Sequence, residues 1–195
     1  AGHVMPARSQ QQFDLDLLTS QQQQPQDSTR RVLVIGDTLS GGLGSGLVRL
    51  TESEQKYQVT FRPNESSGLA RTEIYDWAET LPSILEANEY AAAVVMIGTN
   101  DRRDIQDNAF RSAAWAEAYK QNVGKLLDVL KNQGVKVIWA SNPAFADQQL
   151  NDDMVYISRL QKEIVEQRAE TFVDLYAPLL GADGKYSEMG ADETG

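Results

Sequence analysis

The stretch VLVIGDTLS, residues 32–40, contains the pattern that decides the fold. Its first four residues are apolar and mostly β-branched, which predicts a short strand buried on both faces. Gly36, Asp37 and Thr38 then end the apolar run. Leucines at spacings of four and three follow this turn: Leu39, Leu43, Leu47 and Leu50. Their spacing predicts a helix that starts just after the turn, and a strand, a tight turn and a helix begin a parallel α/β sheet.

The same alternation repeats along the rest of the chain. Four more strands are predicted from short apolar runs, at residues 57–61, 91–97, 135–140 and 171–175. Helices are predicted between them, and Pro82 is expected to kink or restart the helix at residues 74–85. Candidate N-caps for the last helix are adjacent polar residues: Asn151, Asp152 and Asp153. The predicted fold class is α/β: a doubly wound, flavodoxin-like, five-stranded parallel sheet with right-handed crossovers and helices on both faces.

Composition narrows the function classes open to this chain of 195 residues. The formal net charge is −10 and no basic stripe is present, so neither nucleic acid nor an anionic lipid surface is expected as a partner. The absence of cysteine excludes disulfides and zinc–thiolate sites. No apolar run reaches the roughly 20 residues that a membrane-spanning helix needs. The one histidine is His3, which excludes a Ser–His or Cys–His pair within the predicted domain of this sequence.

Two parts of the chain differ in composition. Residues 1–29 are expected to form a flexible, glutamine-rich tail or linker, because the run QQQQPQ at residues 21–26 is polar and low in complexity. Such a linker often joins a domain to a membrane anchor, so a tether upstream of it is one expectation. The domain is assigned to residues 30–195. Its last stretch, residues 181–195, reads as a loop with no final helix, so we expect the domain to be incomplete at its C-terminus.

Unusual polar turns follow three of the predicted strands. Thr38 lies on the turn after the first strand, at a helix N-terminus that favours a nearby anion. Gly68 lies in the loop after the second strand, and Asn100 lies in the GTND turn after the third. Each turn alone is more typical of ordinary turn chemistry. All three at consecutive strand ends favour one shared site, because ligands of open parallel sheets bind there and because a hydroxyl, a bare glycine N–H and a carboxamide together resemble an oxyanion hole.

This set of turns resembles the SGNH (GDSL-like) hydrolase superfamily over about residues 31–180. The blocks of that family are Gly-Asp-Ser-Leu, a later Gly, Gly-x-Asn-Asp and a final Asp-x-x-His. This chain has GDTL at residues 36–39, Gly68, and GTND at residues 98–101. The segment SSGL at residues 66–69 also looks like a bacterial, often periplasmic, subfamily. The resemblance implies an SGNH-hydrolase-like fold and a periplasmic or cell-envelope location.

The resemblance also implies roles for individual residues. Thr38 stands where the family has its nucleophilic serine, and Asp37 matches the aspartate that orders the nucleophile turn. The N–H groups of Thr38 and Gly68 and the side chain of Asn100 match the oxyanion hole. The catalytic His and its Asp have no match, and we expect an Asp-x-x-His block to follow Gly195 in the full-length protein.

Three further residues are candidates for substrate binding: Ser40, Asp101 and Asn142. Ser40 adds a second hydroxyl near Thr38, although it also fits a helix start. The run at residues 101–104 is expected either to hold an anionic substrate at a pocket rim or to form a self-paired surface turn. Asn142 follows the fourth strand and is expected to line the same cleft. Neither a metal nor a cofactor is expected, because the acidic pair at residues 152–153 fits a helix cap and no dinucleotide motif lies at a strand-to-helix turn.

These features support three hypotheses about function. The first is an ester hydrolase or acyltransferase that acts on acyl or acetyl esters of a small molecule or glycan, above all in the cell envelope. The second is a catalytically degenerate relative that binds a ligand or protein partner without turnover, which Thr38 and the missing histidine favour. The third is a flavodoxin-like receiver or nucleotide binder, which would share the fold alone.

Overall fold

A computed structural model describes residues 29–53 and 56–176 of the chain. Its strands are β1 (Arg30–Gly36), β2 (Tyr57–Pro63), β3 (Ala92–Met96), β4 (Lys136–Ala140) and β5 (Thr171–Val173). They pair in parallel in the order β2-β1-β3-β4-β5. The predicted doubly wound parallel sheet of five strands is confirmed. The predicted tail before Thr29 and the predicted C-terminal loop lie outside the described residues.

Helices connect the strands. They are α1 (Thr38–Thr51), α2 (Trp77–Ala87), α3 (Ala113–Asn132) and α4 (Gln148–Gln167). A connection through a helix is what parallel neighbouring strands require. Within the described residues, no helix combines the length and the apolar character needed to cross a membrane.

The helices lie on both faces of the sheet. On one face α1 packs over β1 and β2, where Gly44 permits a close approach: a Cβ added to it would lie 2.6 Å from the Cβ of Phe61. On the other face α2, α3 and α4 share a continuous apolar core with the strands. The helix predicted from the leucine spacing is confirmed as α1, and Leu50, the last of these leucines, is 75% exposed. The buried α1 residues are Ser40 and Gly44, because small side chains let this helix sit close to the strands.

Three tryptophans lie in the core between the sheet and the helices. Trp77, Trp115 and Trp139 are 2%, 0% and 0% exposed. Their apolar or periodic surroundings predict core residues rather than sugar-binding platforms, and this prediction is confirmed. Trp115 also stacks on Tyr119 with ring centroids 4.7 Å apart.

Two helices begin at other residues than predicted. Asp76 caps α2 by accepting the N–H of Ala78 at 2.9 Å, so the helix begins at Trp77 rather than at residue 74. It then continues through Pro82 without a break.

The last helix, α4, begins earlier than predicted. Its cap is Asp147, which accepts the N–H of Leu150 at 2.7 Å, and not the run at residues 151–153. Sequence alone offered several acidic or amide caps in succession, and the side chain of Asp153 is used elsewhere, by two arginines.

Candidate active site

The turn after β1 is built around Gly36. Its φ is +141°, and a Cβ there would lie 1.7 Å from the carbonyl oxygen of Met96, so only glycine lets β1 end this close to β3. Asp37 follows and caps α1 by accepting the N–H of Leu39 at 3.2 Å. Thr38 is thereby the first residue of α1, and it is exposed.

Asp37 also joins the end of β1 to the end of β3. Its side chain is fully buried, and Oδ2 accepts hydrogen bonds from Gly98 N at 2.9 Å, Thr99 N at 2.9 Å and Thr99 Oγ1 at 2.8 Å. Burying a carboxylate is costly unless its oxygens are hydrogen-bonded, and here both oxygens are. Asp37 therefore holds the turn that carries Thr38 against the turn that carries Asn100.

The loop after β2 is bonded to both of those turns. The carbonyl oxygen of Gly36 accepts hydrogen bonds from Asn64 N at 2.9 Å and from Ser67 Oγ at 3.3 Å. Asn100 Nδ2 donates to the carbonyl oxygens of Glu65 at 2.8 Å and Ser67 at 2.9 Å. The three strand ends are thus joined pairwise, and each holds the other two in place.

This arrangement brings together the three residues predicted to form an oxyanion hole. Asp37, next to Thr38, is hydrogen-bonded to the turn that contains Asn100. Ser67, next to Gly68, is hydrogen-bonded to Asn100 itself. Within the described residues, the N–H groups of Thr38 and Gly68 and the hydroxyl of Thr38 have no hydrogen-bond partner. Two unpaired N–H donors and a hydroxyl at a helix N-terminus are suited to an anion or to a developing oxyanion.

The carboxamide of Asn100 is more engaged than predicted. An amide nitrogen carries two hydrogens, and both are directed to carbonyl oxygens of the loop at residues 65–67. In this state Asn100 positions the loop that contains Gly68. Donation to an oxyanion requires that one of these bonds be shared or exchanged.

Asp101 lies in the interior and not at a pocket rim, which corrects its prediction as a substrate-binding residue. It is 0% exposed, and its carboxylate accepts hydrogen bonds from Ala70 N at 2.9 Å and Tyr119 OH at 2.7 Å. A Cβ added to Gly68 would lie 2.3 Å from Asp101 Oδ1. Burial raises the pKa of Asp101 to about 6, although these hydrogen bonds lower it. The carboxylate therefore packs against Gly68 and holds the adjacent backbone through the N–H of Ala70.

A buried chain of hydrogen bonds continues from Asp101 into the core. Tyr119 OH accepts from Gln161 Nε2 at 3.0 Å, and Gln161 Nε2 also donates to Ile97 O at 2.7 Å. Trp139 Nε1 donates to Gln161 Oε1 at 3.0 Å. Burial and the nearby charge of Asp101 raise the pKa of Tyr119 well above its usual value, so the phenol stays protonated and donates. The network is therefore satisfied throughout, as a buried polar cluster must be.

The residues after Asp101 form separate contacts instead of one turn. Arg102 Nε lies 2.9 Å from Asp153 Oδ2, and Arg103 Nη2 lies 3.4 Å from Glu73 Oε1. Both arginines thus have carboxylate partners outside the run at residues 101–104. The self-paired turn is wrong, because the arginines pair with distant residues. Arg103 and Asp104 line the groove beside α3, so contact of this run with an anionic substrate stays a prediction.

Ser40 and Asn142 are both buried at this edge of the sheet. Ser40 is 1% exposed, and its Oγ donates to the carbonyl oxygen of Asp37 at 2.6 Å, so its hydroxyl serves the helix start. Asn142 is 2% exposed; its Nδ2 donates to Ile97 O at 3.3 Å, while its Oδ1 has no partner in the described part of the chain. It lies against Gly98, where a Cβ would be 2.5 Å from Asn142 Nδ2. Contact of either residue with substrate stays a prediction.

Two hollows flank the candidate site. A cavity of about 200 Å³ lies at the ends of β4 and β5, where Asn142, Ser158 and Asp174 line it. A groove of about 810 Å³ lies beside α3, and Ala70 connects its wall to the loop of Gly68. Among residues 29–53 and 56–176, no group of three or more His, Cys, Asp or Glu side chains is placed to hold a metal ion.

Sequence reasoning missed three residues that build this site: Ser67, Thr99 and Tyr119. The hydroxyls of Ser67 and Thr99 stand in turns, where a bond to backbone or carboxylate is a general possibility. Tyr119 lies on the apolar face of α3, so its periodicity indicates the core and gives no sign of its bond to Asp101.

A family model for a protein of unknown function, DUF459, matches residues 31–195. The chain belongs to this family. The DUF459 match spans Thr38, Gly68 and Asn100, so the whole candidate site lies within the family's domain. No curated protein matches the sequence significantly.

The DUF459 domain is also similar to solved structures. TesA shares 19% identity and a TM-score of 0.56, over 85% of this chain and 93% of that chain. A catalytic mutant of Axe2, an acetylxylan esterase from Geobacillus stearothermophilus, shares 18% identity and a TM-score of 0.57, over 84% and 90%. A putative acylhydrolase from Bacteroides fragilis shares 16% identity and a TM-score of 0.55, over 82% and 74%. These similarities confirm the SGNH-hydrolase-like fold.

Proposed function

We propose that this DUF459 domain is an SGNH-type ester hydrolase or acyltransferase with Thr38 as its nucleophile. One observation carries the proposal: the exposed hydroxyl of Thr38 and the unpaired N–H groups of Thr38 and Gly68 lie at the same edge of the sheet. Fold relatives that are described as an acetylxylan esterase and a putative acylhydrolase support this choice of chemistry.

The geometry suits acyl transfer through a covalent intermediate. Thr38 Oγ1 attacks the ester carbonyl carbon while a base accepts the hydroxyl proton. The carbonyl oxygen becomes an oxyanion, held by the N–H groups of Thr38 and Gly68 and, after exchange of one bond, by Asn100 Nδ2. Collapse of the intermediate breaks the bond to the alcohol, which leaves with the proton, and the acyl group stays on Thr38. Water or another hydroxyl then accepts the acyl group and restores the threonine.

The base is the part of the proposal that the described residues do not supply. The methyl group of Thr38 crowds attack and restricts its χ1, so a slower nucleophile than serine is expected at this position.

We assign acyl or acetyl esters of cell-envelope glycans as the substrate class, with a periplasmic or cell-envelope location. Axe2 is described as an acetylxylan esterase, an enzyme for acetyl esters on a glycan. The broad polar groove beside α3 offers side-chain amides and charges, as at Glu73, Gln121 and Asn122, which suit the hydroxyl groups of a sugar chain.

The test is hydrolysis of p-nitrophenyl acetate by the full-length protein and by two variants of Thr38. We expect Thr38→Ala to lower the rate by a factor on the order of 10³ or more, because the nucleophile is removed. We expect Thr38→Ser to keep or raise the rate, because a primary hydroxyl is less crowded. Equal rates in all three proteins would refute a role for Thr38.

Ser45→Ala is the matched control for this test. Ser45 also lies on α1, and its exposed hydroxyl bonds only to the carbonyl oxygen of Gly41, at 3.0 Å. Removing it deletes a hydroxyl from the same helix without touching the strand ends. A loss in Ser45→Ala equal to that in Thr38→Ala would show that the helix, and not the nucleophile, is being measured.

The second candidate is a ligand-binding domain without turnover. The engaged amide of Asn100 favours it, because both amide hydrogens are already bonded within the protein. An inactive parent protein whose activity appears in Thr38→Ser would identify a lapsed enzyme and select this second function.

A further inference from the structure

The side chain of Arg71 lies directly against Gly68. A Cβ added to that glycine would lie 3.0 Å from Arg71 Cγ and 3.2 Å from Arg71 Cδ. The methylene stem therefore covers the backbone of Gly68, and the guanidinium group begins one bond beyond Cδ. This places a positive charge beside one of the two unpaired N–H donors of the candidate site.

The charged end of Arg71 lacks a partner. Its Nε is buried without a hydrogen bond, and no ion pair or side-chain hydrogen bond joins it to the rest of residues 29–53 and 56–176. Asp101, whose Oδ1 also lies against Gly68, is already bonded to Ala70 and Tyr119. A buried donor without an acceptor is costly, and such groups in native proteins call for an explanation.

A shortage of carboxylates in the chain does not explain why Arg71 has no ion pair. The chain has 28 acidic residues against 18 basic ones. Four arginines are paired: Arg102 and Arg111 with Asp153, Arg103 with Glu73, and Arg168 with Asp128. The other described arginines without an ion pair are exposed to solvent: Arg30, Arg31, Arg49, Arg62 and Arg159. Among residues 29–53 and 56–176, Arg71 alone combines an unpaired guanidinium, a buried Nε and a position beside the candidate oxyanion hole.

We propose that Arg71 binds an anionic group, a carboxylate or a phosphate, on the ligand of this site. A guanidinium offers a planar fork of N–H donors that matches either group, and the interaction is strengthened where water is partly excluded. The inference rests on the proposed function where it concerns the reaction: in that reaction, the substrate is an ester whose sugar also carries an acidic group. Binding itself does not depend on turnover.

The experiment compares three sugars that share one ring. N-acetylglucosamine is neutral, N-acetylmuramic acid adds a carboxylate, and N-acetylglucosamine 6-phosphate adds a phosphate. Binding to the full-length protein is measured by isothermal titration calorimetry. We expect at least one anionic sugar to bind about tenfold or more tightly than the neutral one, and the preferred sugar identifies the source of the charge.

Three variants assign the preference to a residue. Arg71→Gln should abolish the difference between the anionic and neutral sugars, and Arg71→Lys should keep part of it, because the charge remains but the fork is lost. Arg49→Gln is the matched control, since Arg49 is exposed in the last turn of α1, away from the strand ends that form the site. It removes the same charge and should keep the full preference. Circular dichroism of each variant checks the fold.

Clear results would overturn the inference. They are equal binding of all three sugars, no measurable binding of either anionic sugar, or an equal loss of preference in Arg49→Gln and Arg71→Gln. Hydrolysis of p-nitrophenyl acetate by the parent protein is recorded separately. If that hydrolysis fails while the charge preference holds, the proposed function falls and the anion site remains.

Discussion

Asp101 at the sheet edge and Asp153 on α4 are both buried carboxylates, 0% and 3% exposed, but their surroundings differ. Asp101 accepts hydrogen bonds from neutral donors, a backbone N–H and the phenol of Tyr119. Asp153 instead lies 2.9 Å from Arg102 Nε and 3.0 Å from Arg111 Nη1. Burial raises the pKa of Asp101 to about 6. Burial acts in the same direction on Asp153, yet hydrogen bonds from Gln149 and the two arginines hold its pKa below the usual value.

The difference shows what neutral and charged partners do to a buried acid. Neutral donors satisfy the oxygens of Asp101 without compensating its charge, so this carboxylate titrates near neutral pH. Two guanidinium groups compensate the charge of Asp153, so it stays ionised. The first arrangement lies against Gly68, so the carboxyl group there is protonated below a pH of about 6 and ionised above it. The second lies between α4 and the loop before α3, where its role is to join elements.

The largest expected effect that tests this comparison is a pH dependence of stability. Below the ordinary aspartate pKa of 3.8, Asp101 is protonated in both the folded and the unfolded state. Between that value and about 6 only the folded state keeps the proton, so stability falls as the pH rises. This pKa shift lowers the free energy of unfolding by about 3 kcal/mol once the pH exceeds the pKa of Asp101 in the folded state. Asp101→Asn should lack this slope.

Urea unfolding of the parent and of Asp101→Asn from pH 4 to pH 7.5 measures the effect. The variant keeps the size and an acceptor oxygen of the side chain, so the difference between the two curves isolates the titration. A difference that stays constant across this range would contradict the raised pKa.

The next effect concerns the paired acid. Asp153→Ala leaves two arginines without their shared carboxylate. We expect the free energy of unfolding to fall by about 2–3 kcal/mol at pH 7. This is below the 3–5 kcal/mol of fully buried pairs, because Arg102 and Arg111 are 37% and 44% exposed. The lowered pKa means that the contribution is present above the usual aspartate pKa and is lost as the pH falls, opposite to Asp101.

Asp152→Ala is the matched control for Asp153→Ala. Asp152 is the exposed neighbour on the same helix and bonds only to Gln148 Nε2, at 3.1 Å. Its removal should change the free energy of unfolding by less than about 0.5 kcal/mol. Equal losses of stability in both variants would mean that helix propensity, and not the ion pairs, causes the loss. The contrast between Asp101 and Asp153 would then disappear.

The fold was predictable because its signal is local. Short apolar runs such as Val32 to Ile35 read directly as buried parallel strands, and the polar turns after them mark the strand ends. The same logic placed Thr38, Gly68 and Asn100 at one edge, since parallel strands end together. Leu50 was not predictable in this way, because helical spacing defines a stripe but not which side of that stripe meets the sheet.

The parts of the site that were not predictable depend on partners far apart in sequence. Asp101 follows Asn100 and reads as a polar turn residue, but its burial is set by Tyr119 on α3 and by the backbone of Ala70. Arg71 likewise reads as an ordinary loop residue. Its importance follows from its contact with Gly68 and from the absence of a partner within the described residues, which no local pattern contains.

The smallest of these effects tests whether the phenol supports the carboxylate at the sheet edge. Tyr119→Phe removes the hydrogen bond to Asp101 and should cost about 1–2 kcal/mol, because a buried acceptor loses a partner. The bond from Tyr119 lowers the pKa of Asp101, so without it the pKa should rise above about 6 and the pH-dependent loss of stability should extend to higher pH. Tyr156→Phe is the control, since the hydroxyl of Tyr156 has no hydrogen bond in the described part of the chain. If both variants kept the slope of the parent protein, Tyr119 would pack in the core without tuning Asp101, and the contrast with Asp153 would rest on burial alone.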